Sequence, residues 1–112
     1  MTEPEYSLVL TTFPVDGGVE VFARALVDER LAACVNVLAG CASIYRWQGA
    51  VETADEVPVL IKTRQSLYPQ VEEAIRRLHP YQLPEVIAVP VVAGLPAYLQ
   101  WVCAETDTAV SK

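Results

Sequence analysis

The segment 79–85, His-Pro-Tyr-Gln-Leu-Pro-Glu, is the densest group of residues that could do chemistry. It places the single histidine of the chain, an aromatic ring and a carboxylate within seven residues. Pro80 and Pro84 stiffen the segment, because proline fixes its own backbone angle φ. The sequence therefore predicts a rigid loop whose polar groups converge.

Metal binding is one chemistry that His79 could perform. Copper(I) prefers thiolate ligands and copper(II) prefers imidazole, and a tight site needs several such ligands together. The sequence offers one imidazole and no thiol that it places nearby. His79 could form a metal site if symmetry gathered copies from three chains, or if a carboxylate such as Glu85 assisted. The alternative, which we favour, is a structural histidine that hydrogen-bonds within a pocket.

A second candidate site does not depend on metal. Tyr45 and Trp47 lie near the tip of a predicted hairpin, Lys62 ends an apolar strand, and Tyr81 and Glu85 flank the stiff loop. A buried lysine beside aromatic rings and a carboxylate could hold an anionic or metal-bound ligand. The alternative is an ion pair between Lys62 and Glu85 that only fixes the register of subunits.

Residue patterns typical of enzymes are scarce. The sequence has no glycine loop that cradles phosphate, no Ser/His/Asp ordering and no Cys-X-X-Cys pair. Gly17-Gly18 indicates a turn, because it lacks the spacing of a dinucleotide-binding motif. An acid–base pair of His79 and Glu85 is the enzymatic alternative. We predict that the protein is not an enzyme and requires no cofactor, with copper(II) or another divalent cation as a weak ligand.

One long β-hairpin, from Ala32 to Arg64, must position most of these residues. Its arms are rich in Val, Ile, Tyr, Trp and Thr, and Gln48-Gly49 is the strong turn signal between them. Arms of about 14 residues extend about 45 Å, whereas a domain of this length has a radius of gyration of about 13 Å. A ribbon that overhangs its own domain, with apolar residues on both faces, predicts a homo-oligomer.

Two irregular residues interrupt this hairpin. With the turn centred between Gln48 and Gly49, Gly40 lies opposite Val57 and next to Pro58. Glycine at such a position predicts a bulge, and proline cannot donate to a strand ladder. Both irregularities are therefore expected to bend the ribbon at the same level.

The remaining elements complete a familiar order. A strand and an amphipathic helix precede the hairpin, and a second amphipathic helix, a strand and a short helix follow it. This order predicts an α+β fold: a ferredoxin-like βαββαβ antiparallel sheet with two helices on one face and a short C-terminal helix. The bare second face is another reason to expect subunits that pack together. We expect one domain over residues 1–112, with a flexible tail at 105–112.

The composition of the chain limits the kinds of partner that we expect it to bind. Hydrophobic residues make up 53% of the chain and charged residues 20%, which favours buried interfaces between subunits. Fourteen acidic and eight basic residues give a net charge of −6, which argues against nucleic acid or an anionic membrane as the main partner. No apolar run approaches the length of a membrane span and no signal peptide is recognisable, so a cytoplasmic protein is expected.

The three cysteines have no metal-site or redox spacing. Their odd number and the absence of a Cys-X-X-Cys pair predict reduced, mostly buried thiols. Cys34 and Cys41 are seven positions apart, so in an unbroken strand their side chains face opposite sides. A bulge at Gly40 is what could bring them to one face.

Four motifs occur in the order that is typical of one family. They are Arg-Leu-Ala-Ala-Cys-Val-Asn at 30–36, Ile-Tyr-Arg-Trp-Gln-Gly at 44–49, Leu-Ile-Lys-Thr at 60–63 and the loop at 79–85. With these motifs the chain resembles the CutA family, the divalent-cation tolerance proteins. The resemblance covers nearly the whole chain.

The resemblance implies a ferredoxin-like subunit in a tight homotrimer that looks like the PII signalling proteins. It also implies a role in copper or divalent-metal tolerance, and a cleft between subunits at the positions of the second candidate site. The proposed copper ligands of the best-known bacterial form are a cysteine at the end of the first strand and a His-His pair. This chain has Thr11 in place of the cysteine and Leu78-His79 in place of the pair.

Three functions remain open from the sequence. The first is a cytoplasmic homotrimer that binds divalent metal, copper above all, and responds to it. The second is a PII-like sensor that binds a small molecule in a cleft between subunits. The third is a hyperstable structural or protein-interaction scaffold.

Overall fold

The computed structural model describes residues 5–107 and confirms the predicted class and element order. The helices and strands of this part of the chain are β1 (Tyr6–Pro14), α1 (Val19–Asp28), β2 (Cys34–Val37), β3 (Cys41–Trp47), β4 (Ala50–Arg64), α2 (Tyr68–Leu78), β5 (Ile87–Val91) and α3 (Pro96–Glu105). A single 3₁₀ turn, Gln65–Leu67, leads into α2. The first arm of the hairpin is thus divided into two strands.

The sheet is antiparallel throughout, with strand order β2-β4-β1-β5, and β3 continues the pairing along β4. β1 is central: Leu8 lies opposite Lys62 of β4 and opposite Val89 of β5. β1 pairs with both β4 and β5, and two helices pack on one face of the sheet. This is the ferredoxin-like arrangement that the element order predicts.

The core lies between the sheet and helices α1 and α2. Alternate residues of β1 are buried, because successive side chains of a strand point to opposite faces. The helices bury residues that recur every three or four positions, which places them on one helical face. The largest buried side chains from these three elements include Phe13, Phe22, Leu26 and Ile75.

The hairpin turn is at Gln48-Gly49, as predicted. Both residues have positive φ, 50° and 85°, which is the conformation of a tight two-residue hairpin turn. Val37 lies opposite Val59 and Cys41 lies opposite Glu56, so residues 38–40 of one arm span two residues of the other. This extra residue is the predicted bulge at Gly40. The longest dimension of the described chain, 48 Å, is about twice the shortest, 23 Å.

The cysteines differ from their prediction. All three thiols are free, but Cys41 is exposed and Cys34 and Cys103 are half-buried. Cys41 lies on the part of the ribbon that extends beyond the core, so the described residues of the same subunit leave it exposed. Cys34 and Cys41 lie opposite Lys62 and Glu56, which share one side of β4, so the bulge does bring both thiols to one face.

The second face of the sheet is partly covered by α3 rather than bare. The Lys62 ammonium lies 6.0 Å from the centre of the Tyr98 ring. Arg64 donates hydrogen bonds to the side-chain and main-chain oxygens of Thr106, at 2.9 and 2.6 Å. On the remainder of this face, β5 leaves Ile87, Val89 and Val91 exposed.

The start of the predicted tail belongs to the folded chain. Glu105 is the last residue of α3, and Thr106 is fully buried. The rest of that segment, residues 108–112, lies outside the described residues. No helix between residues 5 and 107 combines the length and the apolar character that crossing a membrane requires.

Candidate functional site

His79 ends α2 and is buried, with 8% of its surface exposed. Its backbone is extended (φ −82°, ψ 139°), because the residue before a proline avoids the helical region. Its Nε2 lies 2.6 Å from the Thr12 main-chain oxygen, and its Nδ1 lies 3.0 Å from the Tyr81 main-chain nitrogen. The Tyr81 N–H can only donate, so Nδ1 accepts and Nε2–H donates to Thr12.

Ring contacts reinforce these hydrogen bonds. The His79 ring centre is 4.2 Å from that of Phe13, in the core, and 4.9 Å from that of Tyr81, in the loop. Both imidazole nitrogens are occupied, so a metal ion could bind only by displacing one of these bonds. The geometry therefore favours the structural interpretation of His79 over the metal-ligand interpretation.

The other two positions of the family's proposed copper site offer no ligand. Thr11 is 1% exposed, on the face of the sheet that packs against the helices, and its Oγ1 has no hydrogen-bond partner among the described residues. Leu78 is apolar and partly exposed at the end of α2. Within residues 5–107, no three His, Cys, Asp or Glu side chains lie close enough to hold a metal ion.

A cleft of about 660 Å³ lies between the ribbon and the loop 79–85. It brings together four of the five residues of the second candidate site: Tyr45 and Trp47 from β3, and Tyr81 and Glu85 from the loop. The hairpin turn aims the two ribbon residues at the loop, and the His79 contact with Thr12 fixes the loop against β1. The ribbon and the loop 79–85 are therefore the two walls of this cleft.

Lys62 is the exception in the single subunit, and its assignment to a cleft between subunits stays a prediction. It does not line the cleft, and no ion pair links it to Glu85 within the described chain. Its place opposite Leu8 puts it in the middle of the sheet, beside Tyr98 of α3. Five residues of β4 lie between it and Glu56, which does line the cleft.

Two carboxylates of β4, Glu52 and Glu56, also line the cleft and were not predicted. Glu56 is 6% exposed, and the Tyr81 hydroxyl donates to its Oε2 at 2.8 Å. Burial of Tyr81, followed by its bond to Glu56 and the nearby Tyr45, raises the pKa of Tyr81 to about 12. The available sequence signal was the position of Glu56, directly before the apolar run 57–61.

The comparison with known families decides the assignment. The sequence profile of the family described as "CutA1 divalent ion tolerance protein" matches residues 7–105. The chain belongs to this family. Among relatives, the divalent-cation tolerance protein CutA of Thermus thermophilus is 46% identical over 94 residues, which cover 84% of this chain and 91% of the relative. Protein CutA of Mus musculus is 45% identical over 102 residues, 91% of this chain but 58% of the mouse protein.

Solved CutA structures share the fold. The structure of CutA from Xylella fastidiosa is similar with a TM-score of 0.87 and 47% identity, over 91% of this chain and 98% of that chain. That of the CutA from Archaeoglobus fulgidus gives a TM-score of 0.87 at 29% identity, over 91% and 99%. The latter protein is described as periplasmic. A cytoplasmic location for this CutA1 family member stays a prediction.

Proposed function

We propose that this protein is a cytoplasmic, non-enzymatic homotrimer that raises tolerance to divalent cations, copper among them. Membership of the CutA1 divalent ion tolerance family supports the physiological role. The relative from Thermus thermophilus is named a divalent-cation tolerance protein. The remainder of the proposal concerns how many copies assemble and where a cation binds.

Exposed apolar side chains outside the core support the proposal that the subunits assemble. Ile44 and Val51 of the ribbon are 72% and 66% exposed, and Ile87 of β5 is 53% exposed. Soluble monomers rarely expose large contiguous apolar surface. A second copy of the chain can cover these side chains with its own apolar strands. A cyclic arrangement of copies gives every subunit the same contacts. We assign the number three by the resemblance of the chain to the CutA family.

Cation binding, in this proposal, does not use His79 of one subunit. The imidazole nitrogens are bonded to Thr12 and Tyr81, and a single subunit assembles no ligand cluster within residues 5–107. Divalent cations require several oxygen, nitrogen or sulfur ligands at once. We therefore propose that a divalent cation binds weakly, at ligands that assembly brings together from different subunits.

Growth of a bacterial strain that lacks its own CutA tests this proposal. The strain is grown in graded copper(II) and receives wild-type protein, Ile44→Asp or Val21→Asp. The two variants add the same charge at side chains that are 72% and 73% exposed, on the ribbon and on α1 respectively. Wild-type and Val21→Asp protein should restore growth, and Ile44→Asp should restore less. Failure of the wild-type protein to restore growth contradicts the tolerance role, and full activity of monomeric Ile44→Asp contradicts the need for assembly.

A second candidate function is the binding of a small molecule in the cleft. The observation that favours it is the cleft volume of about 660 Å³ with three aromatic residues in its walls. Ligand sites are typically concave and partly aromatic, with volumes of about 300–1,000 Å³. A ligand of the native state must raise the melting temperature.

A thermal-shift screen of metabolites tests the second candidate. A ligand that acts through the cleft should lose its effect in Tyr81→Ala and keep it in Tyr98→Ala. Tyr98 is a suitable control because it is as exposed as Tyr81 but lies on α3, outside the cleft. If no compound shifts the wild-type melting temperature, small-molecule binding in the cleft has no support.

A further inference from the structure

The carboxyl end of α3 is held by two arginines from other parts of the chain. Arg64, the last residue of β4, donates to the Oγ1 and to the main-chain oxygen of Thr106, at 2.9 and 2.6 Å. Arg30, two residues after α1, donates to the main-chain oxygen of Glu105 at 3.1 Å. The last turn of α3 has no basic residue of its own. The two guanidinium groups therefore satisfy oxygens at the negative end of the helix dipole.

The backbone of Arg30 is left-handed, with a φ of 59°. Its N–H donates to the Val27 carbonyl at 3.1 Å, and the next N–H, of Leu31, donates to the Leu26 carbonyl at 2.9 Å. These two bonds form a Schellman motif that ends α1, and the left-handed position of this motif is usually glycine. A larger residue is strained there, because its Cβ crowds the backbone. The contact with Glu105 gives Arg30 a role that glycine could not fill.

The packing of α3 within its own subunit is otherwise slight. Of its ten residues, all of which the structure describes, Val102 alone is buried, whereas α2 buries three of its eleven. Towards the other end of α3, the ring centre of Tyr98 lies 6.0 Å from the Lys62 ammonium. A segment that buries little apolar surface opens at a lower free energy than the core does. The hydrogen bonds from the two arginines are thus a large part of what holds α3 on its own sheet.

We propose that α3 is a strap that detaches from the sheet as a unit, and that Arg30 and Arg64 form the clamp that keeps it docked. Lys62 and Arg64 lie two positions apart in β4, so they share one side of the strand. Detachment of α3 uncovers this side and frees the Lys62 ammonium from the Tyr98 ring. The proposal depends neither on the tolerance role nor on the number of subunits, because each of these contacts lies within one chain.

Hydrogen exchange of the full-length, assembled protein, followed by mass spectrometry of its peptides, tests this proposal. In the wild-type protein, the amides of residues 99–106 should exchange together and faster than those of β1. Arg64→Met keeps an apolar stem but removes the donors of the clamp. It should speed exchange in α3 about tenfold or more, because hydrogen bonds from a charged donor are strong, and it should leave β1 unchanged.

Two further variants separate the clamp from other effects. Arg30→Gly supplies the residue that the left-handed backbone prefers and removes the contact with Glu105. It should speed exchange in α3 and leave α1 at least as protected as before, whereas a role in ending α1 alone would change only α1. Arg24→Met is the control, because Arg24 is exposed on α1 and pairs with Glu20, so exchange in α3 should stay the same. Native mass spectrometry of each variant checks that assembly is unchanged.

Equal exchange of α3 and β1 in the wild-type protein overturns the proposal, because α3 then opens only with the whole fold. Unchanged exchange of α3 in both Arg64→Met and Arg30→Gly also overturns it, because packing or another copy of the chain then holds the helix without the clamp. Equal acceleration of α3 and β1 in Arg64→Met contradicts the clamp as well, because Arg64 then supports the whole fold and not α3 in particular.

Discussion

Replacement of His79 by alanine separates a structural role from a ligand role. The substitution removes two hydrogen bonds, at 2.6 and 3.0 Å, and the ring contact with Phe13 at 4.2 Å. A buried hydrogen bond contributes about 1 kcal/mol, and loss of the packed ring leaves a cavity that costs about 1–2 kcal/mol more. We expect the free energy of unfolding to fall by about 3–4 kcal/mol.

Urea denaturation at one fixed subunit concentration measures this change, because assembly makes the stability concentration-dependent. Arg76→Ala is the control: its side chain is exposed in the same last turn of α2, and the change should stay within about 0.5 kcal/mol. Copper(II) titration of both variants completes the experiment. If His79→Ala loses less than about 1 kcal/mol but no longer binds copper that the wild-type protein binds, the structural assignment of His79 is refuted.

The remaining predictions concern other sites of the same fold. Thr11→Val should raise the free energy of unfolding by about 1 kcal/mol, since the buried Thr11 hydroxyl has no hydrogen-bond partner within residues 5–107. Thr63→Val should lower the free energy of unfolding, since Thr63 donates a buried 2.6 Å hydrogen bond from the same face. Urea denaturation compares the two, and equal effects contradict the reasoning. The raised pKa of Tyr81 stabilises the fold fully below about pH 10, and this contribution should be lost as the pH rises through about 12. Tyrosinate absorbance and unfolding midpoints of wild-type and Tyr81→Phe protein test this, and identical alkaline profiles contradict it. Gly49→Ala should lower the free energy of unfolding by about 1 kcal/mol, because the backbone φ of Gly49 is +85°. Gly40→Ala is the control and should change the unfolding midpoint little, because a Cβ added at Gly40 meets nothing closer than 3.7 Å.

The hairpin shows how much of the fold the sequence predicts. Gln48-Gly49 fixes the turn, and counting residues outward from it places Gly40 opposite Val57, beside Pro58. The structure has this register and this bulge. Such features are local: they depend on turn chemistry and on pairing between adjacent arms.

The candidate site was less predictable because it depends on contacts between distant segments. Nothing in the sequence around His79 indicates that its Nε2 meets the Thr12 carbonyl, 67 residues away. The same is true of the bond between Tyr81 and Glu56. Within one subunit, the pairing of β1 with β4 places Lys62 beside Tyr98, and its assignment to a cleft between subunits stays a prediction. Residue type indicated the kind of chemistry, and tertiary pairing decided which residues meet.

The exposed cysteine has a similar explanation. Burial of Cys41 was expected from the usual behaviour of free cysteine. The ribbon that carries Cys41 extends beyond the core of its own subunit, and the residues described, 5–107, leave Cys41 exposed. In a homotrimer of the proposed kind, Cys41 should react slowly with a thiol reagent, and Ile44→Asp should accelerate the reaction.

Native mass spectrometry of the full chain, with and without one equivalent of copper(II) per subunit, tests both the proposed homotrimer and the structural role of His79. We expect a homotrimer in both conditions, and the same copper stoichiometry for wild-type protein and for His79→Ala. A monomer at micromolar concentration contradicts the proposed assembly. A trimer that binds copper as wild type and loses it in His79→Ala contradicts the structural role assigned to this histidine.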